Sequence, residues 1–84
     1  CIVRGRVQGV FYRAFAKRKA DELKIIGYAQ NMPDGTVEVI AEGERDGLTQ
    51  FIESLKEGPK SADVKRVDVA FMDAGNEFDG FSVK

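Results

Sequence analysis

The chain has 84 residues and a mass of 9.3 kDa, which is the size of one small domain. Thirteen lysine and arginine residues against fourteen aspartate and glutamate residues give a net charge of −1, and 43% of the residues are hydrophobic. This balance is typical of a globular protein and excludes an intrinsically disordered chain. The apolar runs are too short to span a membrane or to form the core of a signal peptide.

Residue types that are absent or rare exclude several kinds of site. The one cysteine, Cys1, excludes an intramolecular disulfide and fits a reducing cytoplasm. The lack of histidine excludes zinc sites of the Cys/His type, nucleophiles that need a histidine base, and phosphohistidine chemistry. We therefore expect a cytoplasmic protein whose chemistry depends on arginine, lysine, amide, hydroxyl and carboxylate side chains and on backbone amides.

Positive charge is concentrated in the first third of the chain. Residues 1–30 contain seven basic and two acidic residues, whereas residues 31–58 contain two basic and seven acidic ones. A basic first third favours an anion site there, and a merely solvated face is the alternative. For the run Lys17, Arg18 and Lys19 we expect a solvated helix face. The slightly acidic chain as a whole argues against binding to nucleic acid.

Hydrophobic spacing predicts seven elements in the order strand, helix, strand, strand, helix, strand and a short last strand. Apolar residues recur at helical spacing in the two helices and alternate in the later strands. The predicted elements cover residues 1–7, 11–23, 25–31, 36–42, 46–57, 67–71 and 81–83. The apolar faces of the helices are Tyr12, Ala16, Ala20 and Leu23 in the first and Leu48, Phe51, Ile52 and Leu55 in the second. The predicted fourth strand rests on the alternation of Val67, Val69 and Phe71.

Turn and capping residues set the limits of these elements. Residues 32–35, Met-Pro-Asp-Gly, predict a hairpin turn between the second and third strands. Asp46 is expected to cap the second helix, and Gly58 and Pro59 to end it. The βαββαβ order predicts an α+β fold of the ferredoxin-like type, a two-layer sandwich with a mostly antiparallel sheet and both helices on one face. Because this fold serves many functions, the function must be argued from the site.

The turn between the first strand and the first helix has the features of an anion site. A glycine-containing loop that leads directly into a helix presents backbone N–H groups at the positive end of the helix dipole. Arg13 lies about one turn inside this helix, where its planar guanidinium can bind the same anion through two hydrogen bonds. Taken alone, the pattern is a weak signal and more often marks a tight turn beside a solvated arginine.

Asn31 is the second candidate functional residue, at the end of the second predicted strand. If strand 2 lies beside strand 1, as we expect for this fold, Asn31 approaches the loop that precedes the first helix. An asparagine close to a Pro-Asp-Gly turn also commonly serves as a turn residue. Loop amides, an arginine and a neutral amide together would form a phosphate pocket that can also hold a water molecule.

Residues 3–13 and 27–43 resemble the two signature motifs of the acylphosphatase family. The matching residues of the first motif are Val3, Gly5, Val7, Gln8, Gly9, Val10, Tyr12 and Arg13, and those of the second are Gly27, Tyr28, Ala29, Gln30, Asn31, Gly35, Val37 and Gly43. The spacing of the motifs is that of the family, and the resemblance extends over essentially the whole chain. Tyr12 stands where the family usually has Phe or Met. Lys24 stands where many members have Gly, which predicts a strained positive φ.

The resemblance implies an enzyme that hydrolyses the carboxyl–phosphate bond of acyl phosphates without a metal or cofactor. It assigns phosphate binding to Arg13 and orientation of the attacking water to Asn31. The backbone amides that would hold the phosphoryl oxygens belong to Gln8, Gly9, Val10, Phe11, Tyr12 and Arg13. It further implies one domain over residues 1–84, a monomer, a small acyl phosphate as substrate, competition by inorganic phosphate or sulfate, and no nucleic-acid or membrane partner.

Three alternatives remain open at this point. One is an acylphosphatase-like domain of a larger carbamoyl-transfer or maturation protein, which the full gene length would decide. Another is an anion-binding or protein-interaction module without catalysis, which a turnover assay would identify. The third is an RNA-binding ferredoxin-like module, which the absence of stacking aromatic residues in 36–42 disfavours.

Overall fold

The helices and strands follow one another in the predicted order. The computed structural model describes residues 1–9, 11–70 and 78–84. The elements are β1 (Ile2–Arg6), α1 (Tyr12–Leu23), β2 (Ile26–Asn31), β3 (Val37–Glu42), α2 (Arg45–Glu57), β4 (Asp63–Asp68) and β5 (Phe81–Val83). β4 ends earlier than the predicted fourth strand, so that Val69 lies beyond it, and Phe71 lies outside the described residues. None of the described helices is long and apolar enough to cross a membrane.

The strands form one five-stranded sheet in the order β4-β1-β3-β2-β5. The expectation that strand 2 lies beside strand 1 is wrong, because β3 lies between them and pairs antiparallel with both. A right-handed crossover from β1 through α1 to the parallel β2 leaves one strand position between the two, and β3 takes that position through its hairpin with β2. The ferredoxin-like α+β fold itself is confirmed.

The strand directions bring three carboxyl ends together. β1 and β2 are both antiparallel to β3 and therefore run in the same direction, and β5 is parallel to β2. Arg6, Asn31 and Val83, the last residues of these three strands, thus lie at one end of the sheet. We call this end the carboxyl edge. Asn31 reaches the neighbourhood of the first loop through this shared direction and not through direct pairing with β1.

The core lies between the two helices and one face of the sheet. In β3, Val37 and Val39 are buried while Glu38 and Ile40, which alternate with them, are partly exposed, as in a sheet covered on one face. The buried apolar residues form one cluster of Val3, Val7, Tyr12, Ala16, Ala20, Ile25, Ala29, Val37, Val39, Phe51, Leu55 and Phe81. Of the predicted buried faces, Tyr12, Ala16, Ala20, Phe51 and Leu55 belong to this cluster, and Leu23 and Leu48 pack against it. Ile52, which was also predicted on the buried face of α2, is only partly buried and lies outside the cluster.

Tyr12 connects the two helices inside this core. Its hydroxyl donates a hydrogen bond of 2.6 Å to the Leu55 carbonyl, and its ring is buried. Burial raises the pKa of the Tyr12 phenol well above its ordinary value, so the group remains a neutral donor. A phenylalanine at this position would fill the same space without this bond between α1 and α2.

The observed helix ends match the predictions at Lys24 and Gly58 and differ from the prediction at Asp46. Lys24 follows α1 with φ 58° and ψ 40°, so the predicted positive φ is confirmed, and Gly58 ends α2 with φ 69°. Asp46 does not cap α2, because the helix begins one residue earlier and Glu44 is the N-cap. The Asp46 carboxylate lies instead in the first turn, where its charge favours the helix dipole.

A β-bulge in β1 explains the glycine at position 5. The pairing of β1 with β4 shifts register between Arg4 and Gly5, and Gly5 has φ 127°. A Cβ atom at this position would lie 2.2 Å from the Asp63 carbonyl oxygen. Only glycine fits this close approach, and the bulge redirects the chain just before it enters the loop to α1.

Candidate active site

The loop between β1 and α1 turns through two residues in the left-handed region. Gly9 has φ 71° and Phe11 has φ 61° with ψ 21°, and the intervening Val10 lies outside the described residues. A Cβ atom at Gly9 would meet open space, so the position requires glycine for its backbone conformation and not for lack of room. Residues in the left-handed region are typical of loops whose backbone N–H groups bind an anion.

The start of α1 continues this surface. Phe15 makes the first hydrogen bond into the helix, from its N–H to the Phe11 carbonyl at 3.0 Å. The N–H groups of Tyr12, Arg13 and Ala14 therefore have no acceptor within the helix. Phe11, the N-cap, makes no side-chain capping bond, and the first turn contains no acidic residue. The positive end of the helix dipole is thus open to an external anion.

A cavity of about 270 Å³ lies over this helix start. Its described lining residues are Val7, Gly9, Phe11, Tyr12, Arg13, Ala14 and Val83. Four of the residues expected in the phosphate site thus share one cavity, together with Val83 of the carboxyl edge. Gln8 and Asn31 do not line it. The single charged side chain in the described lining is that of Arg13, which suits an anionic ligand.

Arg13 is held against the carboxyl edge. Its Nη1 donates to the main-chain carbonyl of Lys84, and the Lys84 N–H donates to the Ala29 carbonyl at 2.9 Å. Ala29 is two residues before Asn31 on β2, so these bonds place the guanidinium near the end of that strand. A guanidinium has five N–H donors, and the remaining ones can still bind an anion.

The side chain of Gln8 ties the loop to the β2–β3 hairpin. Its Nε2 donates to the Met32 carbonyl at 2.7 Å and to the Thr36 carbonyl at 2.8 Å. The hairpin is closed by Asp34, whose Oδ1 accepts from the Thr36 N–H at 3.0 Å and from the Thr36 hydroxyl at 2.6 Å. These hydrogen bonds lower the pKa of the Asp34 carboxyl below its ordinary value. Asn31 immediately precedes Met32, one of the two residues whose carbonyl groups accept hydrogen bonds from Gln8.

Asn31 presents an unused acceptor at the carboxyl edge. It pairs with Val37 across the β2–β3 ladder, and its Oδ1 is buried without a hydrogen-bond partner among the described residues. Leaving a buried amide oxygen unpaired costs about 1–3 kcal/mol. Such an atom is an unusual feature in a folded protein and requires an explanation. A donor supplied from outside the chain, such as a water molecule, would satisfy it.

The basic run of α1 forms an exposed helix face, as expected. Lys17 is paired with Asp21 at 3.0 Å and Lys19 with Glu22 at 3.7 Å, one turn apart along the helix. Arg18 is exposed. Pairs of this kind contribute at most about 0.5 kcal/mol each and leave little uncompensated charge for an anion.

Several features of the site have no clear signal in the sequence. The Lys84 carbonyl is main chain, so no residue type indicates its bond to Arg13. The two hydrogen bonds of the Gln8 side chain join residues far apart in sequence and follow from the tertiary fold. Phe11 was predicted to contribute only its backbone amide and Val83 was assigned only to the last strand, so the apolar lining by their side chains was not predicted. Within residues 1–9, 11–70 and 78–84, no three acidic or cysteine side chains are grouped to hold a metal ion.

Comparison with known proteins gives consistent matches along the chain. The family model described as acylphosphatase matches residues 1–83. An acylphosphatase of Thermus thermophilus is 57% identical over 68 residues, which are 81% of this chain and 77% of the relative. The crystal structure of an acylphosphatase from Bacillus subtilis superposes with a TM-score of 0.95 at 37% identity, over 99% of this chain and 92% of that one. Full-length HypF, solved in a phosphate- and nucleotide-bound form, matches with a TM-score of 0.87 at 27% identity, over 99% of this chain and 11% of its own.

Proposed function

The chain belongs to the acylphosphatase family, and we propose that Arg13, Asn31 and the amides of the β1–α1 loop perform its hydrolysis of acyl phosphates. In this reaction water attacks phosphorus, the bond between phosphorus and the acyl oxygen breaks, and a carboxylate and inorganic phosphate are released. The observation that supports the assignment most strongly is the buried, unpaired Oδ1 of Asn31 at the carboxyl edge.

The phosphoryl group is bound over the start of α1. The backbone amides assigned to it are those of Gln8, Gly9, Val10, Phe11, Tyr12 and Arg13. Fixed N–H dipoles stabilise the developing negative charge without having to reorganise during the reaction. The Arg13 guanidinium supplies a full positive charge and a planar donor pair for two phosphoryl oxygens.

The leaving group needs little help from the protein. It is a carboxylate whose conjugate acid has a pKa of about 4, so it departs without a general acid at neutral pH. Phosphoryl transfer through a loose transition state depends mainly on charge stabilisation and alignment. These requirements match a site that is built from amides and one arginine and contains no histidine.

Asn31 orients the attacking water. Its Oδ1 accepts one hydrogen bond from the water and holds the oxygen in line with the bond that breaks. A neutral amide cannot act as a base at neutral pH, so the proton goes to an oxygen of the substrate phosphoryl group. The roles of the two side chains are therefore separate: Arg13 binds and stabilises charge, and Asn31 positions the nucleophile.

The proposal also includes independence from metal ions and competition by inorganic phosphate. The test measures hydrolysis of benzoyl phosphate with and without EDTA, and then with increasing phosphate or sulfate. We expect turnover that EDTA does not change and that both anions inhibit competitively at millimolar concentrations. Loss of activity in EDTA that a divalent ion restores would overturn metal independence, and lack of competition would overturn the anion site.

We further propose a monomer, a single domain over residues 1–84 and a cytoplasmic location. β4 is an edge strand that carries Asp63, Lys65, Arg66 and Asp68 among its six residues. Charges on an edge strand oppose pairing with the edge of another sheet, which supports the monomer. Sedimentation equilibrium at micromolar protein should give a mass near 9.3 kDa for this chain, and a dimer mass would contradict this part.

The match to HypF favours a second candidate, an acylphosphatase-like domain within a larger protein. The similar region accounts for 11% of the HypF chain. In that setting the same residues would hydrolyse an acyl phosphate and release the carboxylate and inorganic phosphate within a larger protein. The length of the complete gene decides between the candidates, and the assignments of Arg13 and Asn31 are the same in both.

A further inference from the structure

Two of the exposed large hydrophobic side chains flank the same cavity. Among the described residues, the large apolar side chains that remain exposed are Phe11 at 81%, Val83 at 43% and Val69 at 36%. Phe11 and Val83 both line the cavity that contains Arg13, whereas Val69 does not. They come from opposite ends of the chain, one from the start of α1 and one from β5, so their position at one cavity is a product of the fold.

Phe11 occupies an unfavourable conformation without the compensation of packing. Phe11 has φ 61°, a left-handed conformation that is strained for a bulky residue, and such strain is found mainly at functional sites. Its ring is mostly exposed, while the neighbouring Tyr12 fills the core. A glycine or asparagine would satisfy the same backbone without this cost. The aromatic ring therefore requires an explanation outside the stability of the free protein.

The chemistry of the substrate provides one. This step rests on the proposed function, in which the phosphoryl group binds the loop amides and Arg13. The acyl group is joined to that phosphoryl group through one oxygen and must extend toward the margin of the cavity. Phe11, two residues before Arg13, and Val83, which lines the same cavity, are both exposed and offer an apolar surface there.

We infer that Phe11 and Val83 form an acyl-group subsite that selects acyl phosphates with an apolar acyl group, aromatic above all, over those with a small one. Arg13, the charged residue of the described lining, is engaged with the phosphoryl group. Apolar contact with an aromatic ring contributes about 0.5–1.5 kcal/mol beyond simple burial. Phe11 and Val83 are thus residues that determine specificity, and they are distinct from the catalytic pair.

The test compares benzoyl phosphate with acetyl phosphate by the ratio of their kcat/KM values. Phe11→Asn suits the left-handed backbone and removes the ring, and Val83→Ala shortens the opposite side. We expect the ratio to fall about three- to tenfold in Phe11→Asn and about two- to threefold in Val83→Ala. Val69→Ala, an exposed valine outside the cavity, is the matched control and should leave the ratio unchanged. A loss of rate that affects both substrates equally cancels in this ratio of kcat/KM values.

Binding of two non-hydrolysable anions separates this inference from the proposed function. Calorimetry on the wild type should show tighter binding of phenylphosphonate than of methylphosphonate, and Phe11→Asn should abolish most of the difference. If both substrates turn over and neither the ratio nor the phosphonate preference changes in the variants, the subsite is wrong and the proposed function stands. If the wild type hydrolyses neither substrate yet retains a Phe11-dependent phenylphosphonate preference, the proposed chemistry fails and the subsite stands.

Discussion

The side-chain amide of Gln8 donates to the main-chain carbonyl of Met32 at 2.7 Å, across 24 residues of sequence. This bond joins the loop that we propose to bind the phosphoryl group to the residue that directly follows Asn31. A second bond, from the same nitrogen to Thr36, fixes the other side of the hairpin. Because catalysis requires the water and the phosphorus to be aligned, a contact that sets the distance between the two elements bears directly on the rate.

Replacement of Gln8 tests this positioning role. Gln8→Ala should lower kcat by about tenfold to a hundredfold, because small displacements of aligned groups have large effects on rate. KM should change much less, since the backbone amides and Arg13 remain. Steady-state kinetics on benzoyl phosphate measure both, with Gln30→Ala as the matched control on β2. If Gln8→Ala instead destabilises the fold and changes kcat and KM to a similar extent, Gln8 is a purely structural residue.

Arg13 is expected to affect both binding and chemistry. Arg13→Lys keeps the charge but loses the planar donor pair, and we expect kcat to fall by about a hundredfold or more with a higher KM. Arg18→Ala removes an exposed arginine of the same helix and should leave both constants near the wild-type values. Similar kinetics for the two variants would show that Arg13 contributes only general positive charge.

Lys24 offers a test of backbone strain that is independent of activity. Lys24→Gly should raise the free energy of unfolding by about 1 kcal/mol, because glycine adopts φ 58° without the steric cost of a side chain. Lys24→Ala removes the charge and keeps the strained Cβ, so it should give little or no gain. Urea denaturation of the three proteins measures the differences. A gain in Lys24→Ala equal to that in Lys24→Gly would attribute the effect to charge.

Asp34 predicts a specific dependence of stability on pH. Its bonds from Thr36 lower the carboxyl pKa below the ordinary 3.8 in the folded state. The group therefore stabilises the fold above that value, and this contribution is lost as the pH falls through the folded-state pKa. Asparagine can accept the same bonds without titrating. As the pH falls from about 6 to about 3, the wild type should therefore lose stability relative to Asp34→Asn. A constant difference over this range would contradict the assignment.

The sequence predicts the elements better than it predicts their arrangement. Apolar spacing places the two helices within one residue of their observed starts, and the resemblance to a family that often has Gly at position 24 correctly predicts the positive φ of Lys24. The predicted neighbour of β1 is wrong, because local patterns indicate where strands lie along the chain but not which strand lies between β1 and β2 in the sheet. Asp46 was assigned as a cap because aspartate is a preferred capping residue and glutamate is not, yet Glu44 is the N-cap and makes no side-chain capping bond.

The residues of the candidate site, like the fold, are predicted from the sequence only in part. The two motifs indicate the loop, Arg13 and Asn31 as the residues for the chemistry. Phe11 gives no warning of its left-handed conformation, since neither glycine nor asparagine stands there. Its exposure beside Val83, which comes from β5, depends on contacts between distant parts of the chain. These relationships depend on tertiary structure, which local sequence patterns do not specify.

The most direct test of the account is Asn31→Ala, assayed for benzoyl phosphate turnover and, separately, for the affinity of inorganic phosphate. We predict that kcat falls by about a hundredfold or more, because the water loses its orientation, while the dissociation constant of phosphate stays within about twofold, because Arg13 and the loop amides remain. Turnover close to that of the wild type would contradict the role assigned to Asn31. An equal loss of phosphate affinity would show instead that Asn31 holds the phosphoryl site together.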